Sequence, residues 1–197
     1  MTLGVRKRSR EILRAELAEA AADYCVEHGF DTVTVEEIAQ GIGISRATYF
    51  RYFSSKEDAI FTAATTAKET LLQHLHAHPP TKGTPALDAV RQALNPAVEM
   101  TRSREKQSRA RVQMIISSPY LRSRLTVERA AQGEALSTTL QQLIDNPVQA
   151  RAVAALATAA IELGWSFWTE DDALDPGVAF DRAFALLVEV PTIRIDT

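Results

Sequence analysis

Between residues 34 and 56 the chain concentrates side chains suited to one kind of chemistry, the recognition of a polyanion with ordered polar edges. Ser45-Arg46-Ala47-Thr48-Tyr49-Phe50-Arg51-Tyr52-Phe53 places Arg46, Ala47, Thr48 and Arg51 on one side of a short helix, with Tyr49 and Phe53, four apart, on the other. Arginine can bridge a phosphate or the edge of a guanine with two parallel N–H bonds, and side-chain hydroxyls can hydrogen-bond phosphate oxygens. From Ile42 to Lys56 the charged residues are Arg46, Arg51 and Lys56, all basic. The whole chain carries a net charge of −3, but for binding phosphate the local distribution of charge matters more than its sum.

The neighbouring sequence supplies the elements such side chains need. Thr34-Val35-Glu36-Glu37 is a capping-box pattern, with Val33 and Ile38 placed as a hydrophobic staple. It predicts a short helix from Val35 to about Gly41. Gly43 suits the left-handed turn that ends it, and Ser45 caps a second helix, Arg46 to about Tyr52. Two short helices joined by a glycine turn make a helix-turn-helix, whose second helix enters the major groove. Before it, Leu13, Leu17, Ala20, Ala21, Tyr24 and Cys25 follow helical spacing over Ser9 to His28, with Gly29 as the stop. After it, Ser54 with Glu57 and Ser55 with Asp58 give two overlapping cap signals for a long helix, Lys56 to Ala77, of about 33 Å at 1.5 Å per residue.

The rest reads as helices punctuated by proline. The pattern predicts a loop over 79–85, a helix from Ala86 to Thr101 kinked near Asn95-Pro96, and further helices over about 104–117, 120–144, 148–169 and 178–190. Pro119, Pro147 and Pro176 stand near helix starts, where a missing N–H costs nothing. Of the 197 residues 46% are hydrophobic and only 7% aromatic, and strand-favouring runs are almost absent. The expected fold class is therefore all-α. No stretch reads as long enough to span a membrane, and the start has no apolar region behind its basic residues. A single cysteine, Cys25, excludes an internal disulfide and points to the cytoplasm.

The residues Ile38-Ala39-Gln40-Gly41-Ile42-Gly43-Ile44-Ser45, Thr48-Tyr49-Phe50-Arg51-Tyr52-Phe53 and Ser55-Lys56-Glu57 together resemble the tetracycline-repressor (TetR) family, at sequence level from Ser9 through Ile60. The resemblance implies an amino-terminal three-helix bundle with the helix-turn-helix over 1–54. Residues 55–197 would form a helical ligand-binding and dimerisation domain. It implies a ligand-responsive transcriptional regulator, a repressor in most of the family, which binds a palindromic operator as a homodimer and is released by a small-molecule effector. Thr34, Ser45 and Tyr52 match phosphate-contacting positions. Lys56 matches a lysine near phosphate or base edges, and Arg46, Ala47, Thr48 and Arg51 match groove-facing positions. Many relatives carry tyrosine where this chain has Phe50, so the hydroxyl contact there is lost and Tyr52 and Lys56 count for more. The basic arm Arg6 to Arg10 either tracks DNA or is a solubilising tail.

By the same resemblance the dimer forms through the last helices. Ala152, Ala155, Leu156, Ala159 and Leu163 on one, and Phe180, Phe184 and Leu187 on the next, are the candidate interface; packing of the monomer core would give the same stripe. Met100, Met114, Ile115, Leu121, Leu125 and Trp165 are candidate lining residues for a hydrophobic or amphipathic effector. Arg102, Arg104, Lys106, Arg109, Arg111, Arg122, Arg124 and Arg129 make the middle of this domain basic. With Phe50-Arg51-Tyr52-Phe53 and the helical layout, they resemble the actinobacterial subgroup that includes the mycofactocin-associated regulator. That subgroup suggests an acyl-coenzyme A effector, with phosphates for the arginines, although a solvated basic face is the commoner explanation.

Three other readings compete. His74, His76 and His78 could bind metal in a metal-responsive regulator, but alternate residues do not share a helix face. Cys25 could sense redox state, but its place on the apolar face favours an inert thiol. A helical enzyme would need a nucleophile–base pair or a phosphate loop, and none is recognisable. No metal site and no cofactor is called for.

Overall fold

A computed structural model describes the backbone of residues 2–189 and the side chains of residues 8–64 and 70–187. The described residues form ten helices and no strand, the all-α class expected. They are α1 (Thr2–His28), α2 (Val35–Gly41), α3 (Arg46–Tyr52), α4 (Lys56–Ala77) and α5 (Ala86–Ala93), then α6 (Asn95–Ser103), α7 (Glu105–Ser117), α8 (Pro119–Leu140), α9 (Pro147–Glu170) and α10 (Pro176–Glu189). The prolines at 119, 147 and 176 each open a helix, as their missing N–H allows. α1 begins seven residues before the expected Ser9, since nothing in the basic start breaks a helix. Of the basic arm, the side chains of Arg6 and Lys7 lie outside the described residues, as does Val190 at the expected end of the last helix. The helix expected to kink near Pro96 is instead two helices, α5 and α6, parted at Leu94.

The described residues divide into two compact units, one of 2–66 with 106–123 and one of 67–105 with 124–189. In the first, the small residues Ala18, Ala21, Ala22 and Cys25 of α1 are buried with Ile38, Tyr49, Phe53 and Ile60. Small side chains let the helices approach closely, and the large ones fill what remains. Gly41 shows how close: a Cβ there would lie 2.1 Å from the Tyr24 ring. Burial raises the Cys25 thiol to about 11, so its reactive thiolate is suppressed and the redox reading loses its chemistry.

α7 is also part of this first unit. Arg111 donates from Nη1 to Glu19 Oε2 at 2.6 Å and from Nη2 to Asp23 Oδ1 at 2.7 Å, with a further bond to the Glu19 carbonyl oxygen at 3.3 Å. Burial opposes the charge of this guanidinium, but the hydrogen bonds with Asp23 and Glu19 outweigh it and its pKa is raised.

The second unit is built around α9 and α10. Leu71 and Leu75 of α4, Val90 and Leu94, Leu136 and Leu140 of α8, and the inner alanines 150, 154, 157 and 160 of α9 enclose Phe180 and Phe184. Gly164 lets the Phe180 ring lie against the α9 backbone, where a Cβ would come within 2.4 Å of it. Phe180 is 2% and Phe184 7% exposed. Both were expected at the interface between copies; they are core of their own chain, because α10 turns its aromatic face onto α9. Leu187 is partly buried against the same core. Asp175 caps α10, accepting from the backbone N–H groups of Gly177 at 2.8 Å and Val178 at 3.2 Å. It also takes a bidentate bond from Arg102 of α6, both arms at 2.8 Å. This pairing lowers the Asp175 carboxyl to about 2.

One expectation about length needs correction. α9 is long and apolar enough to cross a membrane by length and composition alone, with 28% of its most apolar window buried. Its inner face is core, and its outer face, with Ala152, Ala155, Leu156, Ala159 and Leu163, is exposed.

Candidate nucleic-acid interface

The helix-turn-helix is held by local hydrogen bonds that its sequence specifies. Glu37 N–H donates to Thr34 Oγ1 at 3.2 Å while Thr34 N–H donates to Glu37 Oε2 at 2.8 Å, closing the capping box at the start of α2. The bonds with Thr34 hold the Glu37 carboxyl below its ordinary value. Gly43, at φ +76°, makes the turn. A left-handed residue there is natural for glycine and strained for others. Ser45 Oγ then accepts from Thr48 N–H at 3.1 Å and shares a 2.9 Å hydrogen bond with the Thr48 hydroxyl. At the start of α4 the pattern differs from that expected. Ser55 does cap Asp58 N–H at 3.2 Å, but Asp58 closes back on Ser54 N–H at 2.8 Å, and Ser54 pairs with Asp58 rather than Glu57.

Buried anchors fix which face of α3 is presented. Tyr49 is fully buried and Phe53 nearly so, their rings 5.2 Å apart. Burial pushes the Tyr49 hydroxyl above its ordinary range, and that hydroxyl donates to the Ser55 carbonyl at 3.4 Å. With these two rings down, Arg46, Ala47 and Arg51 are exposed, and Thr48 and Tyr52 are half-buried at the edges. Thr34 and Ser45 are exposed at the two helix starts. Six of the eight expected DNA-binding residues thus lie on α3 or at its cap, and Thr34 lies at the cap of α2.

The eighth, Lys56, opens α4. Its ammonium donates to the Phe30 carbonyl at 2.7 Å and the Val33 carbonyl at 3.1 Å, and lies 4.4 Å from the centre of the Phe30 ring. These bonds tie the start of α4 to the turn between α1 and α2, and an ammonium has three N–H donors, so they leave the expected place near phosphate or base edges open. Backbone carbonyls left by that turn need a donor, and Lys56 supplies it.

Two contacts went unforeseen. Arg14 of α1 donates to the Tyr52 carbonyl at 3.1 Å, Asp58 at 3.2 Å and Thr62 at 2.8 Å, so it ties α1 to the end of α3 and to α4. Arg10 lies one helical turn before it, with its guanidinium 6.0 Å from the Tyr52 ring; that i, i+4 spacing was the available signal. The other is an ion pair between Arg46 and Glu36 of α2. Both side chains are more than half exposed, so the pair is solvated and readily exchanged for another partner.

The expected effector residues divide between the two units. Ile115 and Leu121 are buried core of the first unit, where Met114 also lies. In the second unit Met100 is 46% exposed, Leu125 is half-buried and Trp165 packs edge-on against Phe180 at 5.2 Å. Two hollows of the second unit, of about 250 Å³ beside His74 and His78 and about 690 Å³ between α8 and α9, have none of the six in their walls. His74 stacks on His78 at 4.4 Å, and the His76 ring is hydrogen-bonded to the Leu72 carbonyl. The arginine-rich middle is largely paired: Arg102 with Asp175 and Glu99, Arg111 with Glu19 and Asp23, Arg124 with Glu128, and Arg129 with Glu162.

Comparison with known proteins agrees with this geometry. The sequence model of bacterial regulatory proteins of the tetR family matches residues 17–64, and that of the MftR C-terminal domain matches 84–191. The HTH-type transcriptional regulator TcmR of Streptomyces glaucescens is 32% identical over 76 residues, covering 39% of this chain and 34% of TcmR. MftR of Mycobacterium tuberculosis, named for regulating mycofactocin biosynthesis, is 29% identical over 120 residues, covering 59% of this chain and 58% of MftR. The match thus spans less than two thirds of either relative. Among solved structures, Thermus thermophilus FadR in complex with lauroyl-CoA superposes with a TM-score of 0.55 at 19% identity, over 92% of this chain and 97% of that one.

Proposed function

Because this chain belongs to the TetR family of transcriptional regulators, with a carboxy-terminal domain of the MftR type, we propose that it is a repressor. It binds a palindromic operator as a homodimer and leaves it when a small molecule binds. It is a regulator and not an enzyme, and its place of work is the cytoplasm, where the DNA lies. The observation that carries the DNA reading is the outer face of α3. Arg46, Ala47 and Arg51 are exposed there while Tyr49 and Phe53 lock the opposite face into the core. Thr34 and Ser45 at the caps, with Thr48 and Tyr52, would take phosphates, which position the helix, and Arg46 and Arg51 would take base edges, which specify sequence. Lys56 would hold the frame at the Phe30 and Val33 carbonyls and stand near phosphate or base edges.

A mobility shift on duplexes selected from the genome by the intact protein tests this. Arg46→Ala should weaken binding by roughly 1–3 kcal/mol, the worth of one good bidentate base contact. Unchanged affinity would refute the assignment.

The exposed stripe of α9 supports pairing of two copies through Ala152, Ala155, Leu156, Ala159 and Leu163. Two recognition helices must sit one helical turn, about 34–36 Å, or a multiple apart to read a palindrome. Sedimentation at micromolar concentration should show a dimer, and Leu156→Glu should dissociate it; a monomeric wild type would refute the pairing.

For the effector, a hydrophobic or amphipathic molecule fits the family, and FadR with lauroyl-CoA supports acyl-coenzyme A as a class this fold accommodates. The paired arginines of the middle segment weigh against phosphate binding there. Release from the operator by a long-chain acyl-coenzyme A, and not by free coenzyme A, would support that class. Release by the free fatty acid alone would point to an effector without phosphates.

A further inference from the structure

Phe50 stands out on the proposed reading face. It is 43% exposed in the middle of α3, although its neighbours Tyr49 and Phe53 are buried. Its ring meets Tyr49 edge-on at 5.9 Å, and the Arg46 guanidinium lies 4.9 Å from its centre. Arg46, Ala47 and Phe50 stand at i, i+1 and i+4, so they share one facet of the helix. A phenyl ring has no hydrogen-bonding group, so it can neither cap a helix nor hold a phosphate. Its contacts with Tyr49 and Arg46 still leave 43% of it in water, which is costly for an apolar ring.

We propose that Phe50 reads a thymine 5-methyl group in the major groove, as the apolar half of a two-residue reader whose polar half is Arg46. The inference rests on the DNA-binding reading above. In the major groove the thymine methyl is the apolar group a base pair presents, and apolar side chains that reach base edges meet it. The guanidinium on the ring is held beside the methyl pocket, so the pair reads two adjacent features, a methyl and a hydrogen-bonding edge. Ala47, small and on the same facet, leaves room for the ring to approach.

The test replaces single thymines of the selected operator with deoxyuridine, which removes the methyl and leaves pairing intact. Binding of the intact protein, of F50A and of F50Y is followed by fluorescence anisotropy, with melting curves to show that each variant is folded. Wild type should lose about four-fold in affinity per half-site at one thymine, the worth of burying about one methyl. F50Y, which keeps the ring, should show the same loss, and F50A should bind thymine and uracil operators alike. Equal binding of every uracil operator by wild type would overturn the proposal. So would a uracil effect that survives in F50A and disappears in A47G, since that would make Ala47 the reader. Failure of the wild type to select any duplex would instead overturn the DNA-binding reading on which this one stands.

Discussion

Arg111→Met removes the cation that joins α7 to α1 and leaves its two carboxylates behind. The side chain of Arg111 is 16% exposed, against 27% for Glu19 and 46% for Asp23. Breaking a fully buried pair by removing one partner costs about 3–5 kcal/mol, because the remaining charge is uncompensated. Here the carboxylates are partly wet and can recover water, so the cost falls to about 2 kcal/mol, in the range for hydrogen bonds to charged groups. Glu19 and Asp23 are also one helical turn apart, and without Arg111 they repel. For a chain of this size 2 kcal/mol lowers the melting temperature by about 4–8 °C. Circular dichroism at neutral pH would measure it. The triple variant Glu19→Gln, Asp23→Asn, Arg111→Met should recover most of the loss, since neutral partners need no cation. A loss below about 0.5 kcal/mol in Arg111→Met, or no recovery in the triple variant, would refute the claim that the ion pair, rather than apolar packing of α7, secures this contact.

Three further outcomes follow from the geometry. Glu36→Gln should strengthen operator binding about two- to five-fold, since it frees Arg46 from an exposed ion pair worth 0.2–1 kcal/mol and removes a negative charge beside the phosphates; weaker binding by anisotropy would mean that Glu36 instead orients Arg46. Gly164→Ala should destabilise the chain by about 1–3 kcal/mol in urea, because its Cβ would meet the Phe180 ring at 2.4 Å, and a compensating Phe180→Leu should restore part of it; an unchanged midpoint would show that the two helices can part without cost. Asp175 has a carboxyl lowered to about 2 by Arg102, against about 3.9 when unfolded. Its stabilising effect is therefore full above about pH 4 and lost as the pH falls through 2. The carboxylate is 40% exposed, so solvent screening keeps the effect below about 1 kcal/mol. Asp175→Asn keeps a capping side chain, so its unfolding free energy should converge on that of the wild type between pH 4 and 2; a constant gap would refute the linkage.

Much of the reader was legible because its determinants are local. The Thr34 box, the Gly43 turn and the Ser45 cap each act within three residues or so, and those spacings are visible in the chain. The bounds of α2, α3 and α4 follow from them. What was not legible depends on partners far along the chain. Arg111 meets residues 88 and 92 positions away, and nothing near 111 announces them. The arginine run looked like a basic surface because its acids, Glu19, Asp23, Glu162 and Asp175, come from other elements. Phe180 and Phe184 illustrate a second limit. Helical spacing shows that a stripe is buried, but not whether the chain's own α9 or a second copy buries it. Lys56 shows a third: resemblance places it near phosphate or base edges, and nothing in the sequence around it announces the carbonyls of Phe30 and Val33 that also take its ammonium.

The chain passes between its two units three times, at 66/67, 105/106 and 123/124, and each passage lies inside a helix: α4, α7 and α8. A loop at such a crossing would absorb displacement in its soft dihedrals. A helix cannot do so without breaking i to i−4 hydrogen bonds, so it carries tilt and rotation along its length. α7 carries most weight here. It belongs to the segment that matches the MftR-type domain, yet Arg111 fastens it to α1, and Ser118, just beyond its end, donates to Asp31 at 3.1 Å in the turn before α2. A ligand that favours one state of the second unit can shift the reader only by its difference in affinity between states. Of the three passages, the one in α7 leads to Arg111 and so to α1, against which α2 packs.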